Sequence, residues 1–560
     1  MPPLPPSTRP PYKGTRRKLV LAFDVGTTYS GISYRFLLAV IINPRVEGLI
    51  PWLVSWTGRV PEVKGVTRFP AHEQTSGTSK IPTLIYYNGD GEVCAVGAEA
   101  TVEDPALLAT IRSLNNLNGA LGVRFKPHLR SKTAPGRLIN EYIPPLPPNK
   151  SIIEAFADFL LYLLQCASKY IQDTHPNGPR LWSSVEDSID FVLSHPNGWE
   201  GMEQNQIRKA AVLAGLIPDS PSGHARIRFV TEGEASLHFA VQQGILVEAM
   251  EGGNAVVVVD AGGGTIDVSS YTSRQGHLTR LLLLNAGHFY GSLFVSIHAR
   301  VYLQHFLADS PYLDDIEHIV ECFDDTTKMR FKSDTNQQYI KFGSTRDNDA
   351  TYNIRFGQLK LDGADVAGFF QPSVLCIVNA VLEQRRLSRA RVQSVLMVGG
   401  FSSNDWLLQS VQYELGKYGL HVFRPADHIN KAVSDGAVSF YFDNVVRVRV
   451  SKVTFGTLSS VEYNRKDPDQ SRARSIFLDH SGDKRLPDQF NIVLRKNTQI
   501  SEATEFRQRF DRVYSNRSDL RSVSTVIWCY RGTTNNPVWK SDDPGHYSEL
   551  CTITADLSHM

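Results

Sequence analysis

The chain has 560 residues, with 59 Lys and Arg against 57 Asp and Glu and a formal net charge of +2. At roughly 150 residues per domain, this length predicts two to four domains rather than a single hydrophobic core. The near-neutral balance, with no dominant block of like charge, gives no reason to expect nucleic acid or an anionic membrane as a partner.

Residues 1–17 are rich in proline and basic side chains and lack the apolar core of a signal peptide, so we expect a disordered lead. Two apolar stretches follow, Phe36–Ile42 and Leu49–Trp56, and both are shorter than the roughly 20 residues of a membrane span. Six scattered cysteines without CxxC spacing favour a reducing compartment. We therefore expect a cytoplasmic protein without a membrane span.

Residues 18–34, KLVLAFDVGTTYSGISY, have the pattern of a buried strand that opens into a phosphate-binding loop. Asp24 ends the apolar run, Gly26 allows backbone N–H groups to approach an anion, and Thr27 and Thr28 add hydroxyl donors. A carboxylate beside phosphate is reasonable when a divalent cation lies between them, with Asp24 holding its water shell. Taken alone, an ordinary hairpin end explains the stretch equally well.

Strand and helix patterns alternate in the next part of the chain. The sequence of residues 80–96 predicts a hairpin around an Asn-Gly-Asp-Gly turn. Ser151 and Glu154 predict a capping box at the start of a helix that reaches Ile171. A strand in 189–195 precedes a helix, and a second strand leads into TEGEASLHFA, where we place Glu232 in the bend before another helix. This alternation predicts an α/β fold with largely parallel sheets and ligands at the carboxyl ends of the strands.

A second phosphate loop lies in residues 254–271, NAVVVVDAGGGTIDVSSY. A valine-rich strand ends at Asp260, three glycines follow at Gly262–Gly264, and Thr265 supplies a hydroxyl. Two such loops in one chain, each followed by a further strand, predict a duplicated α/β lobe. Facing each other across a cleft, they would clamp both ends of a polyphosphate.

Several later segments carry glycines or a lysine at positions suited to a ligand. Gly291 follows another apolar run, and Lys328 lies in a polar helical segment. The strand 392–398 ends in Gly399 and Gly400, where a flat group could lie against the backbone, although a simple tight turn has the same pattern. A small-residue helix at 432–440 contains a glycine suited to close helix packing.

In this order, the segments resemble the actin-like ATPase domain of the seventy-kilodalton heat-shock chaperone family. FDVGTTYSG and DAGGGTIDVS resemble its two phosphate motifs, TEGEASLHFA and AVSDGAVSF its two connecting motifs, and VLMVGGFSSN its adenosine motif. The resemblance covers about residues 18–445. It implies a ribonuclease H-like fold of two actin-like lobes around a nucleotide cleft.

The resemblance also implies roles for individual residues. Asp24 and Asp260 would position Mg²⁺ through water, while Lys126, in VRFKPHL, would orient the attacking water with Glu232 as its polar partner. The catalytic set implied is Asp24, Lys126, Glu232, Asp260 and Thr265. The positions implied to contact ATP or ADP are Gly26, Thr27, Thr28, Tyr29, Gly262, Gly263, Gly264, Gly291, Lys328, Gly399 and Gly400.

The sequence departs from the family in three places. AGHFYGSLF, around Gly291, lacks the paired glycine followed by acidic residues, and 323–331 lacks the basic and serine pattern that brackets adenine. Residues 35–60 form an insertion with no strand pattern, which we interpret as an unusual surface insertion or as a gene-model artefact such as a retained intron. An intact mass of the native protein separates these two interpretations.

The predicted organisation is therefore a lead at 1–17, lobe I at 18–230 with the insertion at about 35–60, lobe II at 231–445 and a small β-rich domain at 446–560. The last part weakly resembles the chaperones' β substrate-binding domain, and the whole looks most like a divergent lidless branch of the family. We expect an ATP- and Mg²⁺-dependent, slowly hydrolysing chaperone-like protein that binds an extended peptide or protein client through the C-terminal domain.

Two alternatives stay open at this point. One is a scaffold gated by nucleotide that turns over negligibly. The other is a small-molecule kinase, because an actin-like fold alone does not determine function. The kinase is less well supported, since the motifs indicate no additional acidic base in a sugar-like pocket.

Overall fold

The computed structural model describes most of the chain in two compact units. The described residues are 17–37, 62–71, 80–88, 90–101, 122–123, 125–129, 145–147, 149–199, 201–246, 248–274, 277–281, 287–388, 390–426, 429–443, 446–467, 470, 475–479, 481–501, 504–509, 512, 514 and 516–559. The larger unit comprises Met1–Trp199, Glu203–Leu278 and Asn285–Val445, and the smaller one comprises Glu200–Met202, Thr279–Leu284 and Val446–Met560. The predicted lead lies outside the described residues except for Arg17.

The strands, in chain order, are β1 Lys18–Val25, β2 Tyr29–Leu37, β3 Lys64–Gly65, β4 Ile81–Pro82, β5 Ile85–Tyr87, β6 Val93–Val96, β7 Gly122–Val123, β8 Asp190–His195, β9 Ile227–Thr231, β10 Ala255–Ala261, β11 Ile266–Arg274, β12 His277–Leu281, β13 Gly287–His288, β14 Gln338–Lys341, β15 Ile354–Arg355, β16 Gln358–Leu361, β17 Val392–Val398, β18 His421–Phe423, β19 Val446–Val450, β20 Thr454–Glu462, β21 Phe477–Leu478, β22 Lys484–Leu494, β23 Gln499–Ser501, β24 Val523–Tyr530 and β25 Tyr547–Ala555. The α-helices are α1 Ile152–Thr174, α2 Gly178–Ser183, α3 Gly201–Leu213, α4 Pro221–His224, α5 Glu232–Gln242, α6 Ser292–Phe306, α7 Ile316–Cys322, α8 Lys328–Arg330, α9 Gly363–Leu387, α10 Asp405–Gly416 and α11 Ala432–Asp443.

Two sheets of the larger unit share one pairing pattern. In the first, β1 pairs antiparallel with β2 and parallel with β8, and β8 pairs parallel with β9. In the second, β10 pairs antiparallel with β11 and parallel with β17, and β17 pairs parallel with β18. Both central strands are almost entirely buried, as their apolar runs predict. The α/β class predicted from the sequence is thereby confirmed, whereas the sheets are mixed rather than largely parallel, because β2 and β11 return antiparallel to the central strands.

Strand β2 is longer than predicted, and this moves the start of the insertion. Arg35, Phe36 and Leu37 pair with Val20, Leu19 and Lys18, so the first three residues assigned to the insertion belong to the sheet. The physical reason is that a buried strand needs a partner of equal length for its backbone hydrogen bonds. The guanidinium of Arg35 lies 4.3 Å from the ring centroid of Phe442. Residues 38–61 lie outside the described part of the chain.

Two local predictions about helices are confirmed. The Ser151 hydroxyl and the Glu154 carboxylate form the reciprocal capping box that begins α1. Gly436 places the backbone of α11 directly against α5, because a Cβ at this position would overlap the carbonyl oxygen of Ala235. A glycine is therefore required for this helix crossing.

Helix α9 passes the length and composition criteria for a membrane span, alone among the helices of the described residues. Its buried side chains include Val366, Phe370, Val374 and Ile377. It packs on helix α6 and strand β11 of the same unit. These are the contacts of a core helix in the larger unit.

The smaller unit is built from antiparallel strands. Five of them form a sheet in the order β21-β22-β20-β24-β25, and β19 pairs separately with β23. Phe490, Tyr530 and Tyr547 form its buried aromatic cluster, with Phe490 and Tyr547 ring centroids 5.1 Å apart. Aromatic pairs at this separation contribute beyond the area they bury.

We expect Gly436→Ala to lower the free energy of unfolding by roughly 1–3 kcal/mol, since the added methyl group must push two buried helices apart. Gly368→Ala is the matched control, because that helical glycine has no atom within 4 Å of its Cβ position. The control should stabilise by about 0.5–1 kcal/mol through helix propensity. Urea unfolding of both variants measures the difference, and an equal effect of the two substitutions would contradict the packing argument.

Candidate functional site

The two predicted phosphate loops lie face to face in the larger unit. A Cβ at Gly263 would overlap the side chain of Thr28, and one at Gly264 would come within 2.5 Å of Thr27 Oγ1. The turn before α6 supports the second loop, since Ser292 N donates to the carbonyl oxygen of Gly262 at 3.1 Å. The loops are therefore brought together, as their sequence pattern predicted.

Asp24 lies near the end of β1 and is buried. Ser194, from the neighbouring strand β8, donates to Asp24 Oδ1 at 2.9 Å, and the Lys80 ammonium lies 2.8 Å from Asp24 Oδ2. Sequence reasoning missed Lys80, which it placed only at the start of a hairpin. No local pattern marks this contact, because Lys80 and Asp24 meet only through the sheet.

Lys126 and Glu232 form a buried ion pair, with Lys126 Nζ 2.6 Å from Glu232 Oε1. The Lys126 ammonium also lies 5.6 Å from the ring centroid of Trp199. Glu232 is the first residue of α5, which Thr231 caps, so its predicted place in a bend is wrong. The Thr231 hydroxyl accepts from the N–H of Glu234, and the helix begins at Glu232, before Glu234, where the sequence pattern predicts its start.

A small cavity of about 30 Å³ lies beside this ion pair. Its wall includes Lys126, Trp199, Thr27, Gly264 and Thr265, so it reaches both phosphate loops. A cavity of this size accommodates a water molecule or two. Thr265 and Lys126, two of the predicted site residues, therefore line the same cavity.

Asp260 lies near the end of β10, in a position equivalent to that of Asp24 in β1. Ser236 donates to its Oδ2 at 3.4 Å. Gly399, with a φ of +86°, brings its backbone so close that a Cβ would overlap Asp260 Oδ1. The glycine after β17 is thus required beside this carboxylate.

Asp267 is a further buried carboxylate that sequence reasoning passed over. It lies on β11 directly opposite Asp260, and the backbone N–H of Asn197 donates to its Oδ1 at 2.8 Å. Like charges directly opposite each other destabilise a sheet. Two aspartates spaced to pair across a predicted hairpin were the signal that could have revealed it.

The cluster contains more negative than positive charge. Asp24, Glu232, Asp260 and Asp267 are all buried, and the lysines that face them are Lys80 and Lys126. If all six side chains are ionised, two negative charges are left uncompensated. A divalent cation matches this deficit. Within the described ranges no three His, Cys, Asp or Glu side chains are grouped closely enough to hold a metal ion directly.

Burial, together with the crowding of charges, raises the pKa of two of these carboxyl groups. Burial, and then the neighbouring carboxylates of Glu232 and Asp267, raise the pKa of Asp260 well above its usual range. Burial likewise raises the pKa of Glu232, to about 7, against the opposing charge of Lys126. Each carboxyl thus resists ionisation unless a cation is present.

The other predicted contact residues lie around this cluster. Gly26 makes the first loop tight, since a Cβ there would overlap the carbonyl oxygen of Tyr29. Tyr29 begins β2 and is exposed, whereas Gly291 lies close against the backbone of the second loop. Gly400 begins a 3₁₀ turn, and a Cβ at this position would make an ordinary contact with Asn430 Oδ1 at 3.8 Å.

Lys328 is buried and already engaged by other groups. Its ammonium lies 2.8 Å from Asp324 Oδ1 and donates to Ser296 Oγ at 3.0 Å, and its carbonyl oxygen accepts from Asn404. The segment before it, Phe323–Thr327, is a π-helix, so the polar helical segment predicted here is confirmed. Asp324 lies one helical turn before Lys328, so its carboxylate reaches the Lys328 ammonium and holds it in place.

A mixed α/β unit that gathers two phosphate-type loops and paired strand-end aspartates has the features of a nucleotide-binding protein of the actin-like class. No family model matches the chain. It is 24% identical over 541 residues to human heat shock 70 kDa protein 12B, covering 80% of this chain and 72% of that protein. The human and mouse heat shock 70 kDa proteins 12A are each 26% identical over 388 residues, 54% of this chain and 55% of those proteins.

The chain is therefore a distant homologue of the 70 kDa heat-shock proteins, consistent with a divergent branch of that family. The resemblance found in the sequence motifs is confirmed at this level. Homology implies the actin-like ATPase fold and, for the family as a whole, nucleotide binding with Mg²⁺.

We expect Asp260→Asn to raise the free energy of unfolding of the ligand-free protein at about pH 7.5 by roughly 0.5–2 kcal/mol, because it removes one of the crowded charges. A carboxyl whose pKa rises on folding binds its proton more tightly in the native state, so the wild type loses stability as pH rises from about 4. The gain from asparagine should therefore shrink at about pH 5.

Urea unfolding at the two pH values measures this gain. Asp187→Asn, which changes an exposed carboxylate, is the control and should alter stability little at either pH. A stabilisation by Asp260→Asn that is as large at the lower pH as at the higher one would contradict the charge-crowding explanation.

Proposed function

We propose that the protein binds and slowly hydrolyses ATP with Mg²⁺, as a chaperone-like member of a divergent heat-shock-70 branch. The observation that carries this proposal is the meeting of the two glycine-threonine loops beside Asp24 and Asp260. The repeated strand pairing supports a further inference, that the sheets around β1 and β10 are duplicated actin-like lobes.

Each loop has a part in holding the phosphates. The backbone N–H groups of Gly263 and Gly264 and the hydroxyls of Thr27 and Thr28 would be the donors for phosphate oxygens, while Gly262 N donates to the Thr265 carbonyl oxygen at 2.9 Å and shapes the loop. Asp24 and Asp260 face the same place and would hold Mg²⁺ through its water shell. When bound, Mg²⁺ supplies the positive charge that neutralises the phosphate oxygens during transfer to water.

In this proposal, the ion pair of Lys126 and Glu232 would hold the attacking water. The cavity of about 30 Å³ beside Lys126 and Thr265 has room for that water. Lys126 would orient the water, and Glu232 would keep the lysine side chain in one position by accepting its 2.6 Å hydrogen bond. This geometry supports in-line attack without a covalent intermediate.

Opening of the two loops is part of the proposed cycle. Thr27 and Thr28 lie against Gly264 and Gly263 so closely that phosphate groups must separate them on entering. Nucleotide binding would therefore be coupled to the spacing of the two sheets. The backbone at Gly399 and Gly400 would border the adenosine.

In a single-turnover experiment with radiolabelled ATP and Mg²⁺, we expect the wild type to form ADP and phosphate. Lys126→Met should still bind ATP but lose at least about a hundredfold in hydrolysis rate, the lower range for removing a positioned proton-handling group. Lys417→Met changes a half-exposed, ion-paired lysine and serves as the control with unchanged rate. Asp260→Asn should lose both metal-dependent binding and turnover.

A nucleotide-gated scaffold is the alternative that this experiment separates. The contact of Lys80 with Asp24 favours it, because that carboxylate already has a cation beside it. ATP binding without product above the Asp260→Asn background would establish the scaffold and remove the ATPase. The kinase alternative predicts phosphate transfer to an added small molecule rather than to water.

We also propose that the smaller unit captures an extended apolar peptide. Its edge strand β21 and the preceding residue carry three exposed apolar side chains, with Ile476 46%, Phe477 43% and Leu478 64% exposed. An edge strand offers backbone hydrogen bonds to an added strand, and apolar neighbours add affinity.

Capture of immobilised apolar peptides should decrease when ATP is present and should weaken severalfold in Leu478→Ser, which removes an apolar contact at this edge. Ile553→Ser is the control, because Ile553 is similarly exposed on the opposite edge strand β25. Capture that does not respond to ATP, or that both substitutions weaken equally, would count against a client site at β21.

A further inference from the structure

Lys80 lies among the carboxylates that would hold the metal, and nothing in the sequence motifs assigns it a role. We propose that Lys80 is a built-in cation of the phosphate site, which allows this chain to hold a nucleotide triphosphate with a reduced requirement for Mg²⁺. This inference rests on the proposed nucleotide binding and adds a specific residue to it.

Two backbone contacts of the residues that follow Lys80 hold it in place. Lys80 directly precedes β4, and β4 pairs with the start of β2 through Ile81 opposite Ser30. Next along the chain, the Thr83 backbone N–H donates to the carbonyl oxygen of Thr28 at 2.9 Å. The position of Lys80 is therefore tied to the first phosphate loop itself.

The lysine side chain follows a direct path from this anchor to the cluster. Its stem passes over Gly31, where a Cβ would lie 3.6 Å from Lys80 Cε. Gly31 is the cross-strand partner of Asp24, and the ammonium ends 2.8 Å from Asp24 Oδ2. The stem therefore lies against the residue that pairs with Asp24 across the sheet.

The ammonium acts on more than one carboxylate. Burial opposes the charge of Lys80, but Asp24 and, at longer range, Asp260 and Glu232 together raise the pKa of its ammonium. An ammonium carries three N–H donors, and this one donates to Asp24 Oδ2. We infer that it neutralises Asp24 and donates to a phosphate oxygen at the same time.

The affinity for ATP, measured by calorimetry with excess Mg²⁺ and again with EDTA, tests the proposal. The quantity compared is the Kd in EDTA divided by the Kd in Mg²⁺. Lys80→Met should enlarge this ratio by about tenfold or more over the wild type, because the charged donor is lost where no metal replaces it. Lys80→Arg, which keeps the charge, should stay close to the wild type.

Lys150→Met is the matched control. Lys150 Nζ pairs with Asp158 at 2.9 Å and its side chain is 16% exposed, against 2.8 Å and 14% for Lys80. Its ratio should equal that of the wild type. If Lys80→Met does not fold, Lys80→Gln retains an N–H donor for Asp24 without the charge, and it should show the same enlarged ratio.

Equal ratios in the wild type and the uncharged Lys80 variants, with ATP still bound, would overturn the role of Lys80 and leave the nucleotide site intact. A wild type that binds ATP neither with Mg²⁺ nor with EDTA would overturn nucleotide binding itself, and the role of Lys80 with it. The two failures are therefore distinguishable.

Discussion

The larger unit places carboxylates of like charge at the ends of its central strands β1 and β10. The arrangement of the site depends on how these charges are compensated. Asp24 and Asp260 are both buried near the last residue of a hydrophobic strand, and burial together with the neighbouring carboxylates raises the pKa of Asp260. The remaining site residues can be understood as responses to this constraint. Lys80 and Lys126 supply charge, Ser194 and Ser236 supply donors, and glycines leave room for the backbone to approach.

The crowding of buried carboxylates has opposite consequences for the stability of the protein and for its proposed function. A buried carboxylate that repels its neighbours lowers the stability of the ligand-free protein, and the same carboxylate is available when a cation arrives. The opposed pair Asp260 and Asp267 is unfavourable for a hairpin, since two carboxylates face each other across the strands. Such an arrangement is hard to explain as a structural feature alone, which makes it informative about function.

Local signals in the sequence were sufficient for the parts of the fold that depend on neighbouring residues. The apolar runs of β1 and β10, the capping box at Ser151 and the close helix contact at Gly436 each follow from residues a few positions apart. Lys80 could not be found in this way, because its contact with Asp24 exists only after β4 has joined the sheet. The start of α5 was predicted too late along the chain. The helix begins directly after its cap, Thr231, whereas the apolar pattern used for the prediction begins further along.

The crossing of α5 and α11 has a mechanical consequence. At Gly436 the two helices meet backbone against backbone, with the carbonyl oxygen of Ala235 filling the space of the missing side chain. Sliding one helix along the other would force main-chain atoms into each other, whereas turning about the contact leaves their separation unchanged. The crossing therefore acts as a pivot, and the motions it permits between the two sheets are rotations rather than translations.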